Sequence, residues 1–418
     1  MKVKGIMTAA ALGALLVCGA SVVGVTPAHA AATPSQKISR PVALKLQAAQ
    51  KAIQKGDYAT GLGDLHQAEA MKELHTSPYA EHLLNQLYVF AYEKTHEYAK
   101  LAPRLEALLG DAWVTPQQTR QFTVALAQIY YQLKNYPKAV EYGTEALQKG
   151  YATDGQMATL VGQAYYLQNN WKQTIVFERG LVDAAVKAGK KPTKQSLQLV
   201  QSSCMKLHDQ GCLLNSLEQL VVYYPQRSYW QYLLFRTFKS IKSDANLLEA
   251  YRLAFAVGVM QQPHEFTDYA ELAIEAGSPG EAQTVLNSAL KNNIFTDAHA
   301  KAKAERILKD AKMRAAKDQQ DLAHTAELAA KQPTGNSDIR VGLAYYGYKQ
   351  YAKAIELFNS GIAKGGLSNT AEAHLLLGIA QLKAGNTAAA QTAFNSVKGD
   401  PTLQRLAALW TLKARSVG

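Results

Sequence analysis

The sequence predicts an all-α fold: a right-handed α-solenoid of about nine helix hairpins, ended by a C-terminal capping helix. Three observations predict it. Residue patterns recur every 34 to 36 positions, the length of a two-helix unit whose apolar face only a neighbouring unit can cover. Helix-start chemistry falls where that period needs it. The composition of the 418 residues, 48% hydrophobic and 19% charged, is that of a globular chain and excludes a disordered or membrane-embedded one.

Residues 1–30 read as an export signal. Lys2 and Lys4 give a positive start, Ile6 to Val17 is an apolar run too short to span a bilayer, and Ala28-His29-Ala30 is a small-x-small cleavage pattern. The expected cut follows Ala30, which places the mature protein in the periplasm or outside the cell. A lipid-modified Cys18 is the weaker reading, because Val17 is not small. Removing Lys2 and Lys4 lowers the net charge from +12 to +10, a balance that favours acidic envelope surfaces or partners. No later segment reaches 18 uncharged apolar residues, so no transmembrane segment is expected, and peripheral association with the envelope stays open. No interleaved basic-aromatic patch suits nucleic acid.

After a linker at 31–41, residues 42–296 hold the divergent repeats. Residues 42–75 carry the turn Lys55-Gly56-Asp57-Tyr58, and residues 82–115 carry Tyr92, Tyr98, Leu105 and Leu108. Residues 120–153 and 155–188 are clearer. Leu126-Ala127, Tyr130, Tyr136, Ala139 and Ala146 keep the spacings that Val161-Gly162, Tyr165 and Trp171 repeat 35 positions later. Thr115-Pro116-Gln117-Gln118 offers a capping Thr, Pro at the first helical position and Gln three residues after the cap. Residues 194–227 end in Tyr223-Tyr224-Pro225. Trp230 opens a unit with an insertion near Ser243-Asp244, and residues 263–296 hold Ala276-Gly277, Ala282 and Leu286. From 297 to 333 the period breaks into a charged stretch without Pro or Gly, read as one long helix or two with a thin apolar stripe of Ile307, Leu308, Met313 and Leu322. The clearest units fill 335–404. Gly342, Tyr345, Tyr351, Ala354 and Phe358 are answered 36 residues on by Gly378, Ala390 and Phe394. Asp400-Pro401 then opens the capping helix, 401–415.

The Leu-Gly-like pair, the aromatic three residues on, the second aromatic six later and the small residue three after that resemble the tetratricopeptide repeat. Small residues let the two helices approach, and the first aromatic fills the wedge between them. Across most of the chain, Ala48-Ala49-Gln50-Lys51 with Gly56-Asp57-Tyr58, Tyr224-Pro225 before Tyr229-Trp230, and Gly361 through Leu367 also resemble a group of exported bacterial repeat proteins. That resemblance implies a periplasmic adaptor.

The family places its ligand groove on the first helices. Carried over by spacing, the groove positions are Gln121, Gln128, Tyr131 and Gln132; then Gln156, Thr159, Gln163 and Tyr166; then Gln195, Gln198, Ser202 and Met205. Amides can bond an extended peptide backbone, and tyrosine offers rigid apolar area with a polar tip. Tyr131 and Tyr166 are expected to stand free of packing duty, since Tyr130 and Tyr165 pack the hairpins. Lys134, Lys138 and Glu145 are expected to be solvated outer charges. Family members that clamp a C-terminal carboxylate use Lys, Asn and Arg where this chain has Val124, Gln128, Leu160, Gln195 and Leu199, so an acidic C-terminal tail is not the expected ligand.

No catalytic constellation, cofactor motif or metal-ligand spacing is present. Pro78 separates His75 from His82, and the neighbours Glu81 and His82 point about 100° apart on a helix. Cys204 and Cys212 flank a helix turn. The spacing leaves open a disulfide or two packed free thiols. The leading expectation is a non-enzymatic periplasmic scaffold for envelope proteins. Two alternatives are a carrier or sensor of a small saccharide or aromatic ligand, and an accessory subunit of a cell-wall or exopolysaccharide enzyme system.

Overall fold

A computed structural model describes residues 36–416; the expected signal peptide and its cut lie outside the described residues. Among the described residues are twenty α-helices, one 3₁₀ turn at Leu74–Thr76 and no strand. The chain forms two compact units that divide after Val182.

In the first unit the hairpins pair α1 (Arg40–Gln54) with α2 (Tyr58–Glu69), α3 (Pro78–Lys94) with α4 (Tyr98–Leu109), α5 (Pro116–Gln132) with α6 (Tyr136–Gln148), and α7 (Gln156–Leu167) with α8 (Trp171–Lys187), which runs across the division. The second unit holds α9 (Lys194–Lys206) with α10 (Gln210–Tyr223), α11 (Arg227–Ser240) with α12 (Asp244–Ala256), and α13 (Pro263–Glu275) with α14 (Pro279–Lys291). The single helix α15 (Ala298–Ala330) follows. Then come α16 (Asn336–Gly347) with α17 (Tyr351–Lys364), α18 (Thr370–Lys383) with α19 (Thr387–Asn395), and α20 (Pro401–Arg415).

The hairpin turns share one device. The first helix ends in a left-handed residue: Gly56, His96, Lys134, Asn169, His208, Gly277, Lys349 or Gly385. The next residue's N–H then bonds a carbonyl five positions back, as in Asn135 to Tyr130 at 2.8 Å and Gln350 to Tyr345 at 3.0 Å. This satisfies a carbonyl that the helix end leaves orphaned. In several turns that same residue caps the second helix: Asp57 accepts from the Thr60 N–H at 3.1 Å and Asp209 from the Cys212 N–H at 2.9 Å. Thr115 and Gln118 form the expected capping box. The α11–α12 connection lacks the left-handed residue; its insertion leaves Ile241 extended.

Within hairpins, small residues do bring the helices together. A Cβ on Gly342 would stand 2.8 Å from the Phe358 ring, and one on Gly378 would stand 2.4 Å from the Phe394 ring. Ala139, Ala354 and Ala390 are fully buried opposite. The first unit's core runs through Leu65, Tyr88, Leu105, Phe122 and Leu126. Burying such a side chain fully contributes about 1.5–3 kcal/mol. Lys138, expected as a solvated charge, instead pairs with Glu106 at 2.6 Å and donates to the Tyr130 hydroxyl at 3.1 Å. Its stem is long enough to reach back over the preceding hairpin.

In the second unit α15 is continuous and packs on α13, α14 and α16. Its buried stripe is mostly alanine, with Ile307, Leu308 and Leu322; Met313, expected in that stripe, faces outward. The capping helix does more than cover the last hairpin. α20 packs on α18 and α19 and also on α10, α11 and α12. Asn246 donates to Asp400 at 3.1 Å, and Arg405 pairs with Glu218. The buried Leu403, Leu406, Ala407, Leu409 and Trp410 explain the double contact. At about 100° per residue they span about 160° of the helix, wider than a stripe for one neighbour. Cys204 and Cys212 are disulfide-bonded, with their Cα atoms 5.5 Å apart, and so staple α9 to α10.

Candidate binding groove

Counting back from each left-handed turn residue gives a register for the first helices. Positions thirteen, ten, six and three before it are Gln121, Val124, Gln128 and Tyr131 in α5, and Gln156, Thr159, Gln163 and Tyr166 in α7. The same positions are Ala43, Leu46, Gln50 and Ile53 in α1, and Leu83, Gln86, Phe90 and Glu93 in α3. These are side chains one helical turn apart on one face.

Two cavities open on that register in the first unit. A cavity of about 350 Å³ is lined by Leu46, Gln47 and Gln50 of α1, by Leu83, Gln86, Phe90 and Glu93 of α3, and by Phe122 of α5. Most of its lining is apolar, joined by Gln47, Gln50 and Gln86 and by the Glu93 carboxyl. Burial pushes the Glu93 carboxyl up from its ordinary value. A second cavity of about 240 Å³ lies between α5 and α7, lined by Arg120, Val124, Gln128, Gln156 and Leu160 among others. Arg120 is held there by a 2.9 Å bond from its Nε to the Tyr151 carbonyl.

The second cavity therefore brings Gln128 and Gln156 together. Tyr131 and Gln163 also meet, but as partners of each other: the Tyr131 hydroxyl donates to Gln163 Oε1 at 2.8 Å and ties α5 to α7. Gln121 is half-buried and Gln132 is exposed on α5, and Thr159 turns back to the Gly155 carbonyl at 3.1 Å. Gln195 and Gln198 are half-buried and Met205 is exposed on α9, in the second unit.

Tyr131 and Tyr166 do not stand free of packing duty. Each meets the aromatic that opens its own second helix edge-on: Tyr131 with Tyr136 at 5.7 Å and Tyr166 with Trp171 at 4.8 Å between ring centres. The reason is geometric. A residue three before the left-handed turn lies against the start of the returning helix, so both aromatics of the turn lock it. Burial raises the Tyr131 hydroxyl above its usual range.

Spacing alone names no lining residue on α1 and α3: α1 has Ala52 where the first aromatic stands, and α3, though it keeps Tyr92, has Tyr88-Val89 in place of the Leu-Gly-like pair. The Gly56 and His96 turns hold the signal. The histidines and carboxylates nearby are structural. His75 pairs with Glu81 at 2.8 Å, and the buried His82 pairs with Asp111 at 2.8 Å beneath Trp113. Among the described residues no group of three His, Cys, Asp or Glu is placed to hold a metal, and no helix is long and apolar enough to cross a membrane.

Residues 91–155 and 341–402 match the tetratricopeptide repeat family model. No curated protein sequence matches the chain. Among solved structures, a tetratricopeptide repeat protein from Parabacteroides merdae is similar at 13% identity with a TM-score of 0.23, over 70% of this chain and 98% of its own. Yeast Tom70 is similar at 9% identity with a TM-score of 0.23, over 90% of this chain and 96% of its own. With the small-residue and aromatic contacts of its hairpins, the chain is a helical repeat protein that carries tetratricopeptide repeats at residues 91–155 and 341–402.

Proposed function

We propose that the protein is a non-enzymatic scaffold of the periplasm or cell exterior that holds an extended segment of a protein partner on the first-helix face of its first unit. One observation carries this reading: two openings of that unit lie on one helical register, and each combines glutamines with apolar side chains in its lining. Glutamine both donates and accepts, as an extended backbone requires, and apolar lining takes alternate side chains. Tyr131 and Tyr166 present edges to their own hairpins, which disfavours a sugar-stacking platform. The export signal of residues 1–30 and the net positive charge support an envelope setting and an acidic partner surface.

The test is site-specific photo-crosslinking in the native envelope. Benzoylphenylalanine at Gln86 and at Gln128 should trap the same protein, and at the outward Lys134 should trap none. No adduct from either groove position, or equal adducts from Lys134, would overturn the assignment.

A further inference from the structure

Glu93 is the one charged residue in the lining of the larger cavity of the first unit. It is the last residue of α3 to line it, about 15 Å along the helix from Leu83 at 1.5 Å per residue. Leu83, Gln86 and Phe90 precede it on the same register, and α1 contributes Leu46 and Gln50.

Other carboxylates with little access to water are held by the fold. In the first unit Glu69 pairs with Arg104 and accepts from the Tyr88 hydroxyl, and Glu106 pairs with Lys138. In the second unit Arg252 forks onto both oxygens of Glu281 at 2.8 Å and pairs with Glu249, and Tyr269 donates to Glu281 at 2.6 Å, so that these side chains form a buried ion network. Glu93 differs. It is half-buried and has no hydrogen-bond or ion-pair partner among the described residues. Lys94 and His96 act on it only through their field: both are exposed, outside the lining and beyond ion-pair distance. A carboxyl kept partly out of water loses solvation, and nothing in the fold restores it. Burial accordingly pushes this carboxyl up.

Given that a protein segment occupies this face, as proposed above, we infer that the cavity selects an arginine of that segment, its guanidinium on Glu93 and its stem, with an adjoining apolar group, against Leu46, Leu83 and Phe90. The cavity, at about 350 Å³, lies in the range of about 300–1,000 Å³ that suits a small ligand, so it has room for more than one side chain. An apolar stem that ends in a cation matches an apolar lining that ends in a carboxylate. Arginine fits better than lysine on two counts. Both Glu93 oxygens are free of partners, so a planar fork can donate to both. A guanidinium is also less strongly hydrated than an ammonium and stacks on aromatic rings such as Phe90. The chain's net positive charge acts on the partner's surface as a whole, whereas this contact is local.

The test is ligand-observed NMR titration of the full mature chain with N-benzoylarginine amide, with its uncharged isostere N-benzoylcitrulline amide, and with N-benzoyllysine amide. The arginine compound should bind about fivefold tighter than the citrulline compound, and tighter than the lysine compound, for a charged hydrogen bond at a half-buried site. Glu93→Gln keeps the side chain's shape and breaks no contact of the fold; circular dichroism checks that it folds, and it should abolish the preference. Glu73→Gln, on an exposed glutamate outside the cavity, should leave the preference intact. Equal binding of the arginine and citrulline compounds, tighter binding of the lysine compound, no binding of any, or a preference that survives Glu93→Gln would overturn the assignment. Photo-crosslinking separates this failure from that of the scaffold reading: adducts at Gln86 and Gln128 without the arginine preference retire the arginine alone, whereas missing adducts retire the protein segment.

Discussion

Gly335→Ala is the most severe single-methyl change the fold offers. Gly335 caps α16, and a Cβ there would fall 1.9 Å from the Gly361 carbonyl oxygen and 2.5 Å from its carbon. The obstacle is backbone, so no side-chain rotation relieves it. To reach an ordinary contact of about 3.4 Å, α17 must retreat by about 1.5 Å. It is pinned against that retreat. The Gly335 N–H bonds the Gly365 carbonyl at 2.9 Å, and Lys364 bonds Asp338 at 2.7 Å and the Ala329 carbonyl at 2.9 Å. Overpacking costs about 1–3 kcal/mol. Alanine in place of glycine at a helix N-cap adds about 1 kcal/mol. The stiffer unfolded chain returns about 0.4–1 kcal/mol. The net is a loss of about 2–3 kcal/mol, which for a unit of this size lowers Tm by about 5–10 °C. Scanning calorimetry of the full chain reads the second unit's transition directly. Gly361→Ala should cost less, because its nearest clash is 2.8 Å and helix propensity is gained. A Gly335→Ala protein melting within 1 °C of wild type would refute the close backbone approach and the α16–α17 register built on it.

Gly63→Ala should go the other way: α2 has open space at that position, so the helix gains about 0.5–1 kcal/mol, visible as a higher urea midpoint of the first unit. Lys134→Gly should also stabilise by about 1 kcal/mol, because Lys134 holds φ of 60° in an exposed turn; a lower Tm would contradict the left-handed assignment. Cys204→Ser with Cys212→Ser opens a loop closed by a sequence separation of 8 and should cost about 2.5 kcal/mol on the chain-entropy estimate, read as a Tm change that reductant reproduces in the wild type. For Glu249 the folded value is raised to about 8 from 4.5, so the folded state keeps a proton that the unfolded state releases, and stability falls as pH rises from about 4.5 to about 8. Glu249→Gln should therefore match wild type near pH 5 and melt higher near pH 9; parallel Tm curves across that range would show that Glu249 is ionised throughout.

Much of the fold was legible because packing rules act locally. Gly342 and Gly378 point at their own hairpin's phenylalanine, and Thr115-Pro116 states a helix start without help from the rest of the chain. The turn was half legible. Gly56 and Gly385 announce a left-handed residue, and His96, Asn169 and His208 are of types that tolerate it, but Lys134 and Lys349 adopt it under the pull of the surrounding hydrogen bonds, against their own preference. The first-helix register was legible in α5 and α7, where Tyr130 and Tyr165 mark it, and faint in α1, which has Ala52 at that place, and in α3, which keeps Tyr92 but has Tyr88-Val89 where the small residue stands. The tyrosine reading failed for a reason spacing cannot show: whether Tyr131 faces a ligand or Tyr136 depends on the angle at which the second helix returns.

The buried ion network lay beyond sequence reasoning, since Arg252, Glu249 and Glu281 come from two hairpins and read singly as solvated charges. Its existence bears on how the second unit closes. A buried guanidinium paired with the Glu281 carboxylate and bonded to the Glu249 carboxyl adds little net stability, because desolvation offsets the attraction. It does penalise every arrangement in which one partner is missing. Glu249 and Arg252 lie on α12, which α20 also covers, while Glu281 lies on α14. A unit that slipped by one hairpin would leave Arg252 buried without Glu281, at a cost of about 3–5 kcal/mol. The apolar face of α20 has no such selectivity, since leucine packs on many surfaces. The two devices are thus complementary: Leu403, Leu406 and Trp410 draw the terminal helix in, and the Arg252 network fixes which hairpins it closes upon.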